Sequence, residues 1–295
     1  MAKSHHRLYL FLTLIFSSLA FQSCAAKSAK RDEQNLSYLN QRRSYSTVLK
    51  TRGPAPQEWR VSATLPGVTE VPYTSGELKL KAWLAMPKNS QSDKVPAVVY
   101  FHGGFAFSME EFQDCQPFLD AGFAVMIPTL RGENGNPGNF ELLYGEIDDA
   151  RAAISALVRQ PRIDASRIYT FGHSVGGGIS ALLSLWDDVP VRMGGSSGGL
   201  YPKDVFYGWK DFVPFDLSSE KERKLRLLVG NMGSMKRKHI AYLGSEDNIA
   251  RVVPAADTEI KQSGAPLTIS IIDGDHFSSL ELAVSSFANA IKRDK

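Results

Sequence analysis

From Thr69 onward the apolar residues fall into alternating strand-like and helix-like spacings. Leu78, Leu80, Ala82 and Leu84 alternate with Lys79, Lys81 and Trp83, and Val71-Pro72-Tyr73 precedes them across a Ser75-Gly76 turn. A period of two with a polar face predicts an antiparallel hairpin with one side in water. Val95 to Phe101 is continuously apolar, the pattern of a strand covered on both faces, and it runs into His102-Gly103-Gly104-Phe105. Ser108 as a cap, with Glu110 and Glu111 in the first turn, predicts a helix over 108–121 that Gly122 stops. Phe123 to Ile127 reads as the next strand, and a Gly/Asn-rich loop from Arg131 to Gly138 follows it.

Ile147, Ala150, Ile154, Leu157 and Val158 recur at helical spacing over 144–158, with Pro161 just beyond. A strand from Arg167 to Phe171 and a small-residue helix from Gly177 to Leu185 come next, and Ile240–Leu243 and Leu267–Ile272 read as two further buried strands. The repeated alternation predicts a parallel sheet with right-handed crossovers, in which ligands bind at the C-terminal strand ends. Between Gly199 and Lys236 the alternation breaks. Tyr201, Phe206, Tyr207, Trp209, Phe212 and Phe215 put six aromatics into fifteen residues against a chain average of 10%, and a charged helix is expected from Ser219 to about Met232. An insertion at this place would overhang the sheet edge, its rings either lining a pocket or packing the insertion down.

The residues before Thr69 follow a different pattern. Lys3 and Arg7 precede an apolar run from Leu8 to Phe16, and 1–23 reads as a secretory signal, too short for a membrane-spanning helix. It ends in Phe21-Gln22-Ser23-Cys24, which resembles a bacterial lipobox with Phe where Leu is usual; Cys24 is then the expected lipidation site. Residues 24–56 are polar, close in Gly53-Pro54-Ala55-Pro56, and are expected to form a tether, with the catalytic domain over 57–295. Loss of Lys3 and Arg7 with the leader leaves 32 basic against 31 acidic residues, a balance that gives no electrostatic argument for nucleic acid. Two cysteines far apart, Cys24 and Cys115, indicate no disulfide framework.

The chemistry concentrates at Gly172-His173-Ser174-Val175-Gly176, a G-x-S-x-G between a strand and a small-residue helix. Ser at such a turn needs neighbours without bulk, and the turn aims the Val175 N–H at any oxyanion beside Ser174. A serine nucleophile also needs a base and a carboxylate to orient that base. His276 follows the strand ending at Ile272, whereas His5 and His6 lie in the leader, His239 begins a strand and His173 is expected to point away from the hydroxyl. Asp247, after the strand ending at Leu243, competes with Glu246, Asp273 and Asp275 for the orienting role; the last two are sequence neighbours of His276 and poorly placed to reach its ring. Gly103 and Gly104 complete the expected oxyanion hole, and Phe105, Trp209 and Phe212 are candidate pocket residues.

From about Thr69 to Ile291 these motifs, with Arg131-Gly132, Gly145 and Asp148-Asp149, resemble an α/β-hydrolase of the prolyl-oligopeptidase-like group. The resemblance implies a mostly parallel sheet with an N-terminal antiparallel hairpin, helices on both faces and a small insertion near 200–236. It further implies a serine hydrolase with nucleophile Ser174, acid Asp247 and base His276, using neither metal nor cofactor. Peptidases of that group commonly place a Tyr where this chain has His102, and they carry a propeller for which the residues before Thr69 are too few. Dienelactone hydrolases are similar in size but carry Cys at the elbow. The His-Gly-Gly form looks more like carboxylesterases, so small carboxylic esters are the expected substrates, short peptides the alternative. A catalytically silent envelope lipoprotein that binds a partner is a third reading.

Overall fold

The computed structural model describes residues 37–60, 63–88 and 92–294. The leader and Cys24 lie outside the described residues. The chain divides into two compact units, Met1–Ser46 and Thr47–Lys295. Within the described part of the first, helix α1 (Tyr38–Arg43) is capped by Ser37, whose hydroxyl accepts the Asn40 N–H at 3.4 Å.

The second unit begins at Thr47, inside the stretch read from the sequence as a tether. The N–H groups of Lys50 and Thr51 donate to the Pro214 carbonyl, Ala55 N–H donates to Gly132 O, and Gly53 O accepts the Phe140 N–H. Polar composition alone suggested a free linker, but backbone pairing is indifferent to side-chain polarity.

Among the described residues eight strands form one sheet, in the order β1-β2-β4-β3-β5-β6-β7-β8. β1 (Val68–Ser75) and β2 (Leu78–Ala85) make the antiparallel hairpin, and β2 is also antiparallel to β4 (Ala124–Pro128). β3 (Val95–Phe101), β5 (Ile163–Gly172), β6 (Met193–Ser197), β7 (Lys238–Gly244) and β8 (Leu267–Ile272) run parallel. Their C-terminal ends therefore share one edge.

The helix expected over 108–121 is two short pieces, α2 (Glu111–Asp114) and α3 (Gln116–Asp120). Pro117, inside the run, has no N–H to continue the ladder, and the chain breaks at Cys115. Helices α4 (Gly145–Val158) and α5 (Ser174–Leu183) follow the expected pattern. α6 (Val205–Gly208) and α7 (Glu220–Lys224) belong to the insertion; the charged helix expected to reach Met232 stops after five residues. Beyond it Arg226 is fully buried, its guanidinium donates to Glu222, Thr47 and the Glu141 carbonyl, and its own N–H bonds to Arg223 O in a tight turn that ends the α-helical ladder. α8 (Val253–Ser263) and α9 (Leu280–Arg293) complete the fold.

One strand was not anticipated. β6 reads Met-Gly-Gly-Ser-Ser and lacks the branched apolar residues that mark a buried strand. Space explains its composition: a Cβ at Gly195 would lie 2.6 Å from the Phe287 ring and 2.8 Å from that of Phe171. These rings join Val98, Tyr100, Phe118 and Phe123 in the core on that face of the sheet. Among the described residues no helix is long and apolar enough to cross a membrane.

Candidate active site

β5 ends at Gly172, and the chain turns through His173 into α5 at Ser174. Ser174 has φ 50°, a left-handed conformation that residues with a Cβ seldom adopt. The turn closes because its flanks lack side chains: a Cβ on Gly172 would sit 2.2 Å from Gly176 O, and one on Gly176 would sit 2.0 Å from Phe101 O. The result presents the serine hydroxyl at the C-terminal edge of the sheet.

Two other strand ends bring their side chains to it. His276 Nε2 lies 2.9 Å from Ser174 Oγ, and His276 Nδ1 lies 2.7 Å from Asp247 Oδ2. An ionised carboxylate only accepts, so Nδ1 carries the ring proton and Nε2 offers its lone pair to the serine O–H. Asp247 is buried, and its Oδ1 accepts the Ile249 N–H at 2.9 Å, which fixes the carboxylate in the turn after β7. The rival acids are elsewhere. Asp275 Oδ1 accepts from Phe277 N, Ser278 N and Ser278 Oγ, building the turn that carries His276, and Glu246 and Asp273 are exposed.

The loop after β3 passes beside the nucleophile. A Cβ on Gly103 would lie 3.7 Å from Ser174 Cβ, and Gly104 has φ 66°. Phe105 N–H donates to Gln57 Oε1 at 2.8 Å, so this amide is already committed. Val175 N–H belongs to the first turn of α5, whose amides have no partner within the helix. The expected oxyanion donors, Gly103, Gly104 and Val175, thus lie on the two backbone segments next to Ser174. His102 anchors the loop from behind: Nδ1 faces Gly103 O at 3.0 Å and Nε2 faces Glu133 Oε2 at 3.2 Å. Burial pulls the His102 pKa down, but the charge and hydrogen bond of Glu133, Glu111 and the Gly103 carbonyl outweigh it and raise the pKa to about 9.

His173 departs from expectation. It does not bond to Ser174, yet its ring lies 5.0 Å from that of His276 rather than pointing clear of the site. Its backbone forms a parallel bridge with Ser197, which extends β5 toward β6 and carries the ring with it. Burial, with repulsion from His276, lowers its pKa to about 4, so the ring is neutral.

The three candidate pocket residues separate into two groups. Phe105 meets Phe140 at 5.0 Å and Phe212 at 5.9 Å, next to a cavity of about 100 Å³ bordered by Pro54, Phe140, Phe212 and Pro214. Trp209 instead stands edge-on to Tyr201 at 4.9 Å and to Phe206 at 5.9 Å. A larger cavity of about 590 Å³, between Arg192, Lys236 and Arg293, opens where β6 and β7 begin, at the far end of the strands from Ser174. Among the described residues no cluster of His, Cys, Asp or Glu could hold a metal ion.

Glu133, Gln57 and Phe140 contribute to the site without a sequence signal of their own, because each reaches it only through tertiary closure. The loop that carries Glu133 is itself fixed by Arg131, which meets Asp149 with two guanidinium nitrogens at 2.8 and 2.9 Å and Glu141 at 2.9 Å.

Residues 75–192 match the model of the X-Pro dipeptidyl-peptidase (S15) family. An uncharacterized peptidase of Bacillus subtilis, YtmA, is 27% identical over 158 residues, 53% of this chain and 56% of that protein. The chain thus spans about half the length of the curated relative it matches. Among solved structures, the acylaminoacyl peptidase of Pyrococcus horikoshii superposes with a TM-score of 0.59 at 20% identity, over 76% of this chain and 40% of that one. An esterase of Pyrococcus furiosus gives a TM-score of 0.61 at 18% identity, over 82% of this chain and 96% of that one. The architecture is the α/β-hydrolase fold, as the motifs implied.

Proposed function

We propose that this chain, an α/β-hydrolase by fold, is a serine hydrolase that cleaves carboxylic esters through an acyl-enzyme on Ser174. The observation that carries the reading is the continuous line of hydrogen bonds from Ser174 Oγ through His276 to Asp247, beside a glycine loop and a helix N-terminus. His276 Nε2 takes the serine proton as Oγ attacks the carbonyl carbon, and Asp247 steadies the imidazolium that forms. The N–H groups of Gly104 and Val175, with Gly103 beside them, receive the oxyanion. The proton on Nε2 then passes to the leaving alcohol, and water repeats the sequence to release the acid.

The ester preference rests on His102-Gly103-Gly104, a backbone oxyanion loop, and on the aromatic surroundings of Phe105, Phe140 and Phe212. A second reading, cleavage of short peptides, is favoured by the S15 match and by the peptidase relative. Export with lipidation at Cys24 belongs to the same proposal and is supported by the leader pattern; radiolabelled fatty acid should enter the wild-type protein and not Cys24→Ala.

The direct test combines fluorophosphonate labelling with kinetics. Wild type should label, and Ser174→Ala should neither label nor hydrolyse short-chain aryl esters while keeping its melting temperature. Absence of labelling in folded wild type, or near wild-type turnover in Ser174→Ala, removes the enzymatic reading and favours a silent binding protein. Higher kcat/KM on prolyl or aminoacyl anilides than on aryl esters selects the peptidase reading.

A further inference from the structure

Tyr201, four residues past the end of β6, is buried, and among the described residues its hydroxyl has no hydrogen-bond partner. The phenol faces Ser174 but stands outside hydrogen-bonding geometry with it. Its position is closely constrained. A Cβ on Gly178 would come within 2.8 Å of Tyr201 Cε2, so the ring lies directly on the first turns of α5. Trp209 packs edge-on at 4.9 Å from the other direction. Gly198 and Gly199 lead into it, and Gly199 passes so close to α5 that a Cβ there would be 2.3 Å from the Gly177 carbonyl carbon.

A buried O–H without an acceptor is unfavourable, and buried polar atoms are nearly always paired. Packing does not require this one, since phenylalanine would fill the same volume without the unpaired group. What the resting site lacks is supplied during the reaction. Attack by Ser174 creates a negatively charged oxygen two bonds from Oγ, within the reach of a donor that stands beside the serine. A donor that is idle in the ground state and engaged in the transition state accelerates the chemical step rather than substrate binding.

We propose that Tyr201 is a further catalytic residue, its hydroxyl donating a hydrogen bond to the charged oxygen of the tetrahedral adduct at Ser174. The proposal rests on the serine-hydrolase reading above and adds a side-chain donor to the backbone amides. No covalent bond changes at Tyr201 and its proton stays in place, because burial pushes the phenol pKa well up.

The experiment compares wild type with Tyr201→Phe, which deletes one oxygen and keeps the ring. For an aryl ester, kcat should fall about 100-fold, the size of losing one oxyanion donor, with KM little changed. A boronic acid, which mimics the adduct, should bind more weakly by the same factor, while a non-reactive ester analogue should bind unchanged. The melting temperature should hold or rise, since an unpaired buried hydroxyl has been removed. Wild-type kcat in Tyr201→Phe overturns the proposal, and so does a loss of kcat that comes with a lowered melting temperature and weakened binding of both inhibitors. Fluorophosphonate labelling of wild type separates the two levels: if wild type labels and the Phe variant is fully active, only the Tyr201 role fails, whereas an unlabelled wild type removes both.

Discussion

His102 holds its Nε2 3.2 Å from Glu133 Oε2 while its Nδ1 faces the Gly103 carbonyl oxygen at 3.0 Å. Both partners are acceptors, so the ring satisfies them together only as imidazolium, with a proton on each nitrogen. The Gly103 carbonyl and the Gly104 N–H belong to one planar trans peptide and point opposite ways. Anchoring the carbonyl therefore aims the amide.

This pair predicts a pH dependence of stability. The folded pKa of His102 is raised from 6.5 to about 9, so its contribution is complete below 6.5 and is lost as pH rises through 9. Burial raises Glu111 and Glu146 to about 7, and their loss of stability is spent below the upper part of that window. Wild type should melt well above His102→Gln at a pH below 6.5, and the gap should narrow above 9. A gap independent of pH would show that the ring acts by shape alone.

The elbow, the two later strand ends and the hairpin were legible because each rests on local chemistry: alternation for β1 and β2, glycine spacing around Ser174, and an Asp and a His placed just past apolar runs. What stayed hidden depends on partners distant in sequence. β6 has no apolar signature because its glycines make room for Phe171 and Phe287. Glu133 and Gln57 look like ordinary loop residues until the fold closes them onto His102 and Phe105. The insertion's charged helix gives way to a buried arginine that bonds to Thr47, a residue the sequence had assigned to a tether.

The assignment of the acid separates Asp247 from Asp275. Asp247→Asn forces an amide against His276 Nδ1, favours the wrong tautomer and should reduce turnover by about 10⁴-fold. Asp275→Asn keeps an Oδ1 acceptor for Phe277 N and Ser278 N and should retain turnover close to wild type. Steady-state kinetics of the two variants decide the matter, and the opposite order of effects would move the role to Asp275.

Glycine at the elbow is a steric requirement and its removal has a predictable cost. In Gly176→Ala the new methyl would meet Phe101 O at 2.0 Å and His102 O at 2.4 Å, backbone atoms that cannot swing aside. Overpacking of a tight core typically costs about 1–3 kcal/mol, and a backbone clash belongs at or above the upper end. Gly208→Ala is the control, since none of the described residues lies within 4 Å of its added methyl, and it should stay within about 0.5 kcal/mol of wild type. Urea unfolding of both variants measures the difference; equal stability would mean that the elbow relaxes freely.

Phe212 and Trp209 come from one insertion, yet their surroundings predict different phenotypes. Phe212 is 47% exposed and touches Phe105, the residue that follows Gly104, so it can be truncated without opening the core. If its ring contacts the acyl or leaving group, Phe212→Ala should lower kcat/KM for long or aromatic esters by about 10-fold or more and spare acetyl esters, because each buried methylene contributes about 0.8 kcal/mol. Its melting temperature should barely move. Trp209 packs edge-on against both Tyr201 and the fully buried Phe206, so Trp209→Ala removes the support of the phenol that faces Ser174. That variant should melt lower and lose kcat on every ester to a similar degree, with the acyl preference intact. An acyl-chain series measured beside melting curves distinguishes the two, and a uniform loss in Phe212→Ala would place its ring outside the substrate path.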